Sequence, residues 1–245
     1  MMGDALYNAF RISLAGGFLA LDRTAAMQTM VSRPIVAAPV IGYILGNPSA
    51  GLAVGTLLEL LFIGDLPVGR YIPVHETDLS VMVTAMTVTI IDALGMRAVP
   101  GAVWHSTAGG VVMALPLSLV AMLPLSRVFQ MADAFTRRVN VRFFNSALET
   151  VERGAHISLA RENLKGLLVF FTINALTLFL ASAPMLFLSR LIFSRAGLQW
   201  HLSPAFAWCA ALGMAAALNS VYTDRSGAII FVASGIAAAA VFAFL

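Results

Sequence analysis

Residues 51–69 read GLAVGTLLELLFIGDLPVG, and within the run from Ser49 to Gly64 the only charge is the carboxylate of Glu59. An ionised acid facing lipid costs about 3 kcal/mol or more, so Glu59 is expected to face the protein interior. The spacing agrees. Gly51, Gly55 and Glu59 are four residues apart and share one face of a helix, as do Ala38, Gly42 and Gly46 on the preceding piece. Small residues at that interval let two backbones approach closely.

The rest of the chain explains why an interior acid matters. Of 245 residues, 60% are hydrophobic and 11% charged, with a mean hydropathy of +0.88; a soluble domain carries roughly 25% charged residues. The composition therefore predicts an all-α integral membrane protein, with 1–245 as a single membrane domain. Charge-free runs at 98–126, 166–189, 196–223 and 226–245 are each long enough to span, since about 20 apolar residues cross the hydrocarbon core. The first apolar segment, Ala5 to Leu21, has no basic leader before it and no small-residue cleavage pattern after it, and is expected to be retained. The single cysteine, Cys209, reads as a small core residue.

One sizeable polar segment interrupts the spans. Residues 127–165 hold seven Lys/Arg and four Asp/Glu, and that basic excess places the segment in the cytoplasm. Its first part, RVFQMADAFTRRV (127–139), has Val128, Met131, Ala132, Phe135 and Val139 at helical spacing, the pattern of an amphipathic helix along the membrane surface. Residues 166–245 are expected to be C-terminal transmembrane helices.

The region from Pro34 to Pro73 is unlike the rest, with five of the ten prolines and six of the nineteen glycines. Its apolar pieces, Ile35 to Leu45 and Ser49 to Gly64, are too short for comfortable spans and predict interrupted or re-entrant hairpin segments. In transporters such segments point to the substrate site, which makes 28–80 the expected substrate path.

Polar side chains cluster on both sides of these pieces. GDLPVGRYIPVHETD (64–78) carries Asp65, Arg70, His75, Glu76 and Asp78, and LDRTAAMQTMVSRP (21–34) carries Asp22, Arg23, Gln28 and Arg33. Carboxylates, amides and guanidinium groups bind vicinal hydroxyls, so Glu59, Gln28, Asp65, His75 and Glu76 are the candidate sugar-binding residues. Arg23, Arg33, Arg70 and Asp78 read as interfacial charges. No nucleotide-phosphate loop, zinc motif or serine elbow occurs in the sequence. No catalytic residue, metal site, cofactor or nucleic-acid partner is expected, and the chain reads as a non-enzyme.

Four pieces in order, LDRTAAMQTMVSRPIVA (21–37), IGYILGNPSAGLAVG (41–55), LLELLFIGDLPVG (57–69) and IPVHETDLS (72–80), resemble the IIC membrane subunit of the mannose/fructose/sorbose family of the bacterial phosphoenolpyruvate-dependent sugar phosphotransferase system. The resemblance implies a multi-pass protein of the inner (cytoplasmic) membrane that binds a hexose-like sugar and moves it inward. It implies a IID membrane partner and soluble IIA and IIB phosphocarriers that phosphorylate the sugar as it arrives, with a homo-oligomer left open. The family commonly shows a pattern like IPPDET where this chain has IPVHET, with Val74 and His75; the lost carboxylate leaves Glu76 as its replacement. The alternative function is a non-transporting membrane scaffold or sensor that docks phosphotransferase proteins through 127–165.

Overall fold

The computed structural model describes residues 2–62, 75–96, 105–122, 125–156 and 158–195, and among these every regular element is a helix. In chain order they are α1 (Met2–Thr24), α2 (Pro34–Ile44), α3 (Pro48–Phe62), α4 (Glu76–Ala93), α5 (His105–Met122), α6 (Ser126–Glu152) and α7 (Leu159–Arg195).

The two short apolar pieces form a helical hairpin. Proline at the first position of α2 supplies the fixed φ a helix start tolerates. Gly46, at φ +83°, turns the chain out of α2 in the left-handed conformation that favours glycine. The Asn47 side chain then accepts the amide of Ala50 at 3.1 Å and so caps α3. At 11 and 15 residues the two helices are about 16 and 22 Å long, each shorter than the roughly 30 Å hydrocarbon core.

Glycine sets their separation. A Cβ on Gly51 would lie 2.5 Å from the Ala38 carbonyl oxygen, one on Gly55 2.6 Å from that of Pro34, and one on Gly42 2.7 Å from that of Asn47. The helices touch backbone to backbone along the face expected from the sequence, with Ala38, Ile41, Val54 and Leu58 fully buried.

α7 is, among the described residues, the one helix long and apolar enough to cross a membrane alone. It contains the apolar run 166–189. The run 98–126 overlaps α5, and 196–223 and 226–245 lie outside the described residues. With 37 residues α7 is about 56 Å long, well beyond a hydrocarbon core of roughly 30 Å. Arg161, Glu162 and Lys165 belong to the same helix, ahead of its charge-free run 166–189.

Four contacts place the neighbours of α7. Arg190 donates to Asp4 at 3.3 Å, and Gly17 packs against Phe171 and Ala175, so α1 runs antiparallel to α7. Gly16 meets Leu178 and Val81 together, which brings α4 level with the middle of the span. α6 turns back through Gly154, at φ +76°, and Asn140 comes within 3.8 Å of where a Gly166 side chain would start.

That last contact sets the course of α6. Its first half packs beside α7 and buries Phe129, Asp133 and Thr136, while Val128, Met131 and Phe135 of the apolar face stay exposed. The helix also continues to Glu152, past the amphipathic stretch seen in the sequence. α4 is central: 14 of its 18 residues are buried, and it packs against α1, α2, α3, α5, α6 and α7.

Candidate functional site

Glu59 has a partner that the sequence does not place beside it. One helical turn past Gly55, it reaches the start of α2, where Arg33 sits in extended conformation ahead of Pro34. Arg33 Nε donates to Glu59 Oε1 at 2.8 Å and Nη2 donates to the same oxygen. Pro34 has no amide proton, and the next amide, that of Ile35, donates to Glu59 Oε2 at 3.3 Å. The positive end of the α2 dipole thus faces the acid as well.

Arg33 also turns to α4. Its Nη1 lies 3.5 Å from Glu76 Oε1, and the three side chains remain 28%, 20% and 14% exposed for Arg33, Glu59 and Glu76. One guanidinium between two carboxylates is a partly accessible group of donors and acceptors, built where the start of α2, the end of α3 and the start of α4 converge. Its formal charge, +1 − 2 = −1, leaves carboxylate acceptors for hydroxyl donors.

The segment between α1 and α2 is fixed by a buried acid. Asp22 Oδ1 accepts the Thr29 amide and the Thr29 hydroxyl, both at 2.7 Å, and Oδ2 accepts the Ser32 amide at 3.2 Å. Met27, Gln28 and Met30 have φ of 50°, 56° and 65°, conformations that cost of order 1–3 kcal/mol each outside glycine. Such strain persists only where surrounding bonds impose it, and here Asp22 supplies them. The segment ends against α4, where the Thr77 hydroxyl donates to the Ser32 carbonyl at 2.9 Å.

His75 plays a different part from Glu76. It is 1% exposed and caps α4: its Nδ1 lies 3.4 Å from the Asp78 amide and 3.1 Å from Asp78 Oδ2. An Nδ1 lone pair that accepts the amide leaves the shorter contact to a proton on the Asp78 carboxyl; a protonated Nδ1 makes the shorter contact itself. The capping amide bond needs the Nδ1 lone pair, so the imidazole serves as acceptor for α4 with the Asp78 carboxyl beside it. Asp78 is itself 0% exposed, inside the protein rather than at an interface. Arg23 from α1 and the Asp133–Arg137 pair from α6, bonded at 3.1 Å, are near enough to act on this buried pair electrostatically.

The expected site residues therefore separate. Glu59 and Glu76 meet through Arg33, Gln28 is exposed on the strained segment, His75 is buried as a helix cap, and Asp65 lies outside the described residues, as do Arg70 and Val74. Arg33 belongs with Glu59 and Glu76. Its sequence signal is its place directly before the proline that opens α2, 26 residues from Glu59.

A family model described as the sorbose-specific IIC component of the phosphotransferase system matches residues 6–245. The chain belongs to this family. The match takes in the helical hairpin, the Arg33–Glu59–Glu76 group, α4 and the long α7, so the resemblance carried by residues 21–80 extends over nearly the whole chain. Membership makes the protein a membrane component of a sugar phosphotransferase system. No curated protein matches the chain at significant similarity.

Proposed function

We propose that this IIC chain is the sugar-binding transport subunit of its system, not an enzyme, and that Arg33, Glu59 and Glu76 are the polar centre of its sugar site. The observation that carries this reading is the guanidinium held between two carboxylates, part-exposed, at the meeting point of three helix ends. A hexose-like sugar presents several hydroxyls, each donor and acceptor. It can exchange one Arg33–carboxylate contact for hydrogen bonds to both partners without leaving a charge unpaired.

The short hairpin fits a re-entrant element whose ends reach partway into a multi-pass protein of the bacterial inner membrane, with 127–165 toward the cytoplasm. In this reading a IID subunit completes the sugar path, and soluble IIA and IIB carry the phosphoryl group and transfer it to the arriving sugar. Gln28 and Asp65 border the site. His75 and Asp78 support it from beneath by fixing the first turn of α4.

Uptake tests the assignment. Glu59→Gln, co-expressed with IID, IIA and IIB partners, is expected to insert normally and to lose sugar uptake. Full uptake by the variant overturns the role given to Glu59. Wild-type chain that binds phosphotransferase proteins yet takes up no sugar favours the scaffold reading.

A further inference from the structure

Glu76 heads a stripe. Ser80, Thr84 and Thr87 follow it at intervals of four, four and three residues, so at 100° per residue all four fall within about 80° of one face of α4. From Glu76 to Thr87 the stripe is about 16 Å long.

Two of its hydroxyls are anomalous. Thr84 and Thr87 are 0% exposed, and among the described residues neither Oγ1 has a hydrogen-bond partner. Buried hydroxyls in helices ordinarily return to a carbonyl of their own helix, and several described here do, while Thr77 finds the Ser32 carbonyl instead. Thr89 bonds the Ala85 carbonyl at 2.7 Å, Ser118 that of Ala114 at 2.8 Å, and Thr136 that of Ala132 at 2.9 Å. Within the stripe Ser80 bonds the Thr77 carbonyl at 2.8 Å. An unbonded buried hydroxyl is costly relative to the isosteric valine, so packing in this conformation does not account for a hydroxyl at Thr84 or Thr87.

The stripe has a direction. Val81 is level with Leu178 in the middle of α7, and Thr84 and Thr87 lie about 4 and 9 Å further along α4. They lead away from the end of α4 that faces Arg23, Asp133 and Arg137. One end of the stripe is thus the Arg33–Glu59–Glu76 group, and the other approaches the membrane face opposite the charged segment 127–165.

We propose that Thr84 and Thr87 are hydrogen-bonding stations for a polyhydroxylated substrate on its way between the outer membrane face and the Arg33–Glu59–Glu76 group, bonded to sugar hydroxyls in the loaded protein. The inference rests on the sugar-site reading above and extends it to α4. Each threonine hydroxyl both donates and accepts, as does each sugar hydroxyl, so a file of them exchanges partners without stranding a charge.

The test is Thr84→Val/Thr87→Val against Thr84→Ser/Thr87→Ser in the assembled transporter, scored by initial uptake of labelled hexose and by thermal stability in detergent. The valine pair is expected to be at least as stable as wild type and to lower uptake about tenfold, the effect of losing two neutral hydrogen bonds to the moving sugar. The serine pair is expected to keep uptake within about twofold, because it keeps both hydroxyls. Wild-type uptake by the valine pair overturns the stations and leaves the sugar site intact. A valine pair that loses stability as well as uptake shows structural hydroxyls and also overturns the proposal. Absence of uptake by wild type removes both readings, so the two failures are distinguishable.

Discussion

Adding one methyl group to the α2–α3 contact measures how closely the two helices pack. In Gly51→Ala the new Cβ would lie 2.5 Å from the Ala38 carbonyl oxygen and 3.0 Å from the Cα atoms of Gly42 and Pro39. All three neighbours are backbone and cannot swing aside. Ordinary contact begins at 3.4 Å, so at this level the helices must part by about 0.9 Å (3.4 − 2.5). Overpacking of this kind costs about 1–3 kcal/mol, and the carbonyl clash belongs at the upper end. Alanine regains about 1 kcal/mol of helix propensity over glycine. The net loss is then about 1–2 kcal/mol, or roughly 2–8 °C in the melting midpoint of a chain of this size.

Two controls isolate the mechanism. Gly3→Ala has nothing within 4 Å of its new methyl and should be neutral or slightly stabilising. Gly46→Ala meets open space but keeps φ +83°, so it should lose about 1 kcal/mol from backbone strain without parting the helices. Thermal unfolding of the purified chain in detergent separates the three. A Gly51→Ala melting midpoint at or above that of wild type would refute the backbone contact and with it the register that brings Glu59 to Arg33.

Three further outcomes follow from the site. In a double-mutant cycle, Arg33→Ala and Glu59→Gln should be strongly non-additive in thermal stability, by about 1–3 kcal/mol, because the charges share a hydrogen-bonded contact less than one-third exposed; additivity would mean the contact is not made. Asp22→Asn keeps the shape but loses anionic acceptors for two amides and a hydroxyl. It should loosen 25–33, seen as faster proteolysis at Met27 to Met30, at a stability cost of about 1–3 kcal/mol; unchanged proteolysis would contradict its role. His75→Ala should lose about 0.5–2 kcal/mol of stability through the lost cap, while His75→Asn should recover most of it as a good capping residue; equal losses would show that capping is not what His75 does.

The hairpin was legible because its signals are local. Glycines four residues apart and short apolar runs act over a few residues, and α2 and α3 lie close to the runs 35–45 and 49–64, although Gly46, expected on the α2 face, leaves it for the turn. The partner of Glu59 was not legible, because the chain between Arg33 and Glu59, 26 positions apart, carries no pattern that requires the two to meet. Arg33 looks like any basic residue beside an apolar segment until the hairpin closes.

The protein-facing side of α6 was hidden for a related reason. Periodicity reports that one face is apolar, not what the other meets: Phe129, Asp133 and Thr136 turn inward, while Val128, Met131 and Phe135 stay exposed. The burial of His75 and Asp78 was hidden likewise. HETD has the composition of a polar loop, and only the tertiary packing of α4 at the centre of the other helices takes those side chains out of water.

Sugar-dependent stabilisation tests most directly whether the Arg33–Glu59–Glu76 group binds substrate. The chain, purified with its IID partner in detergent, is melted with and without a panel of hexoses that includes mannose, fructose and sorbose. Wild type should gain in melting midpoint with one of them in proportion to the logarithm of its concentration, and Glu59→Gln, equally folded without sugar, should gain nothing. Equal stabilisation of wild type and Glu59→Gln by the same sugar would place the binding site elsewhere.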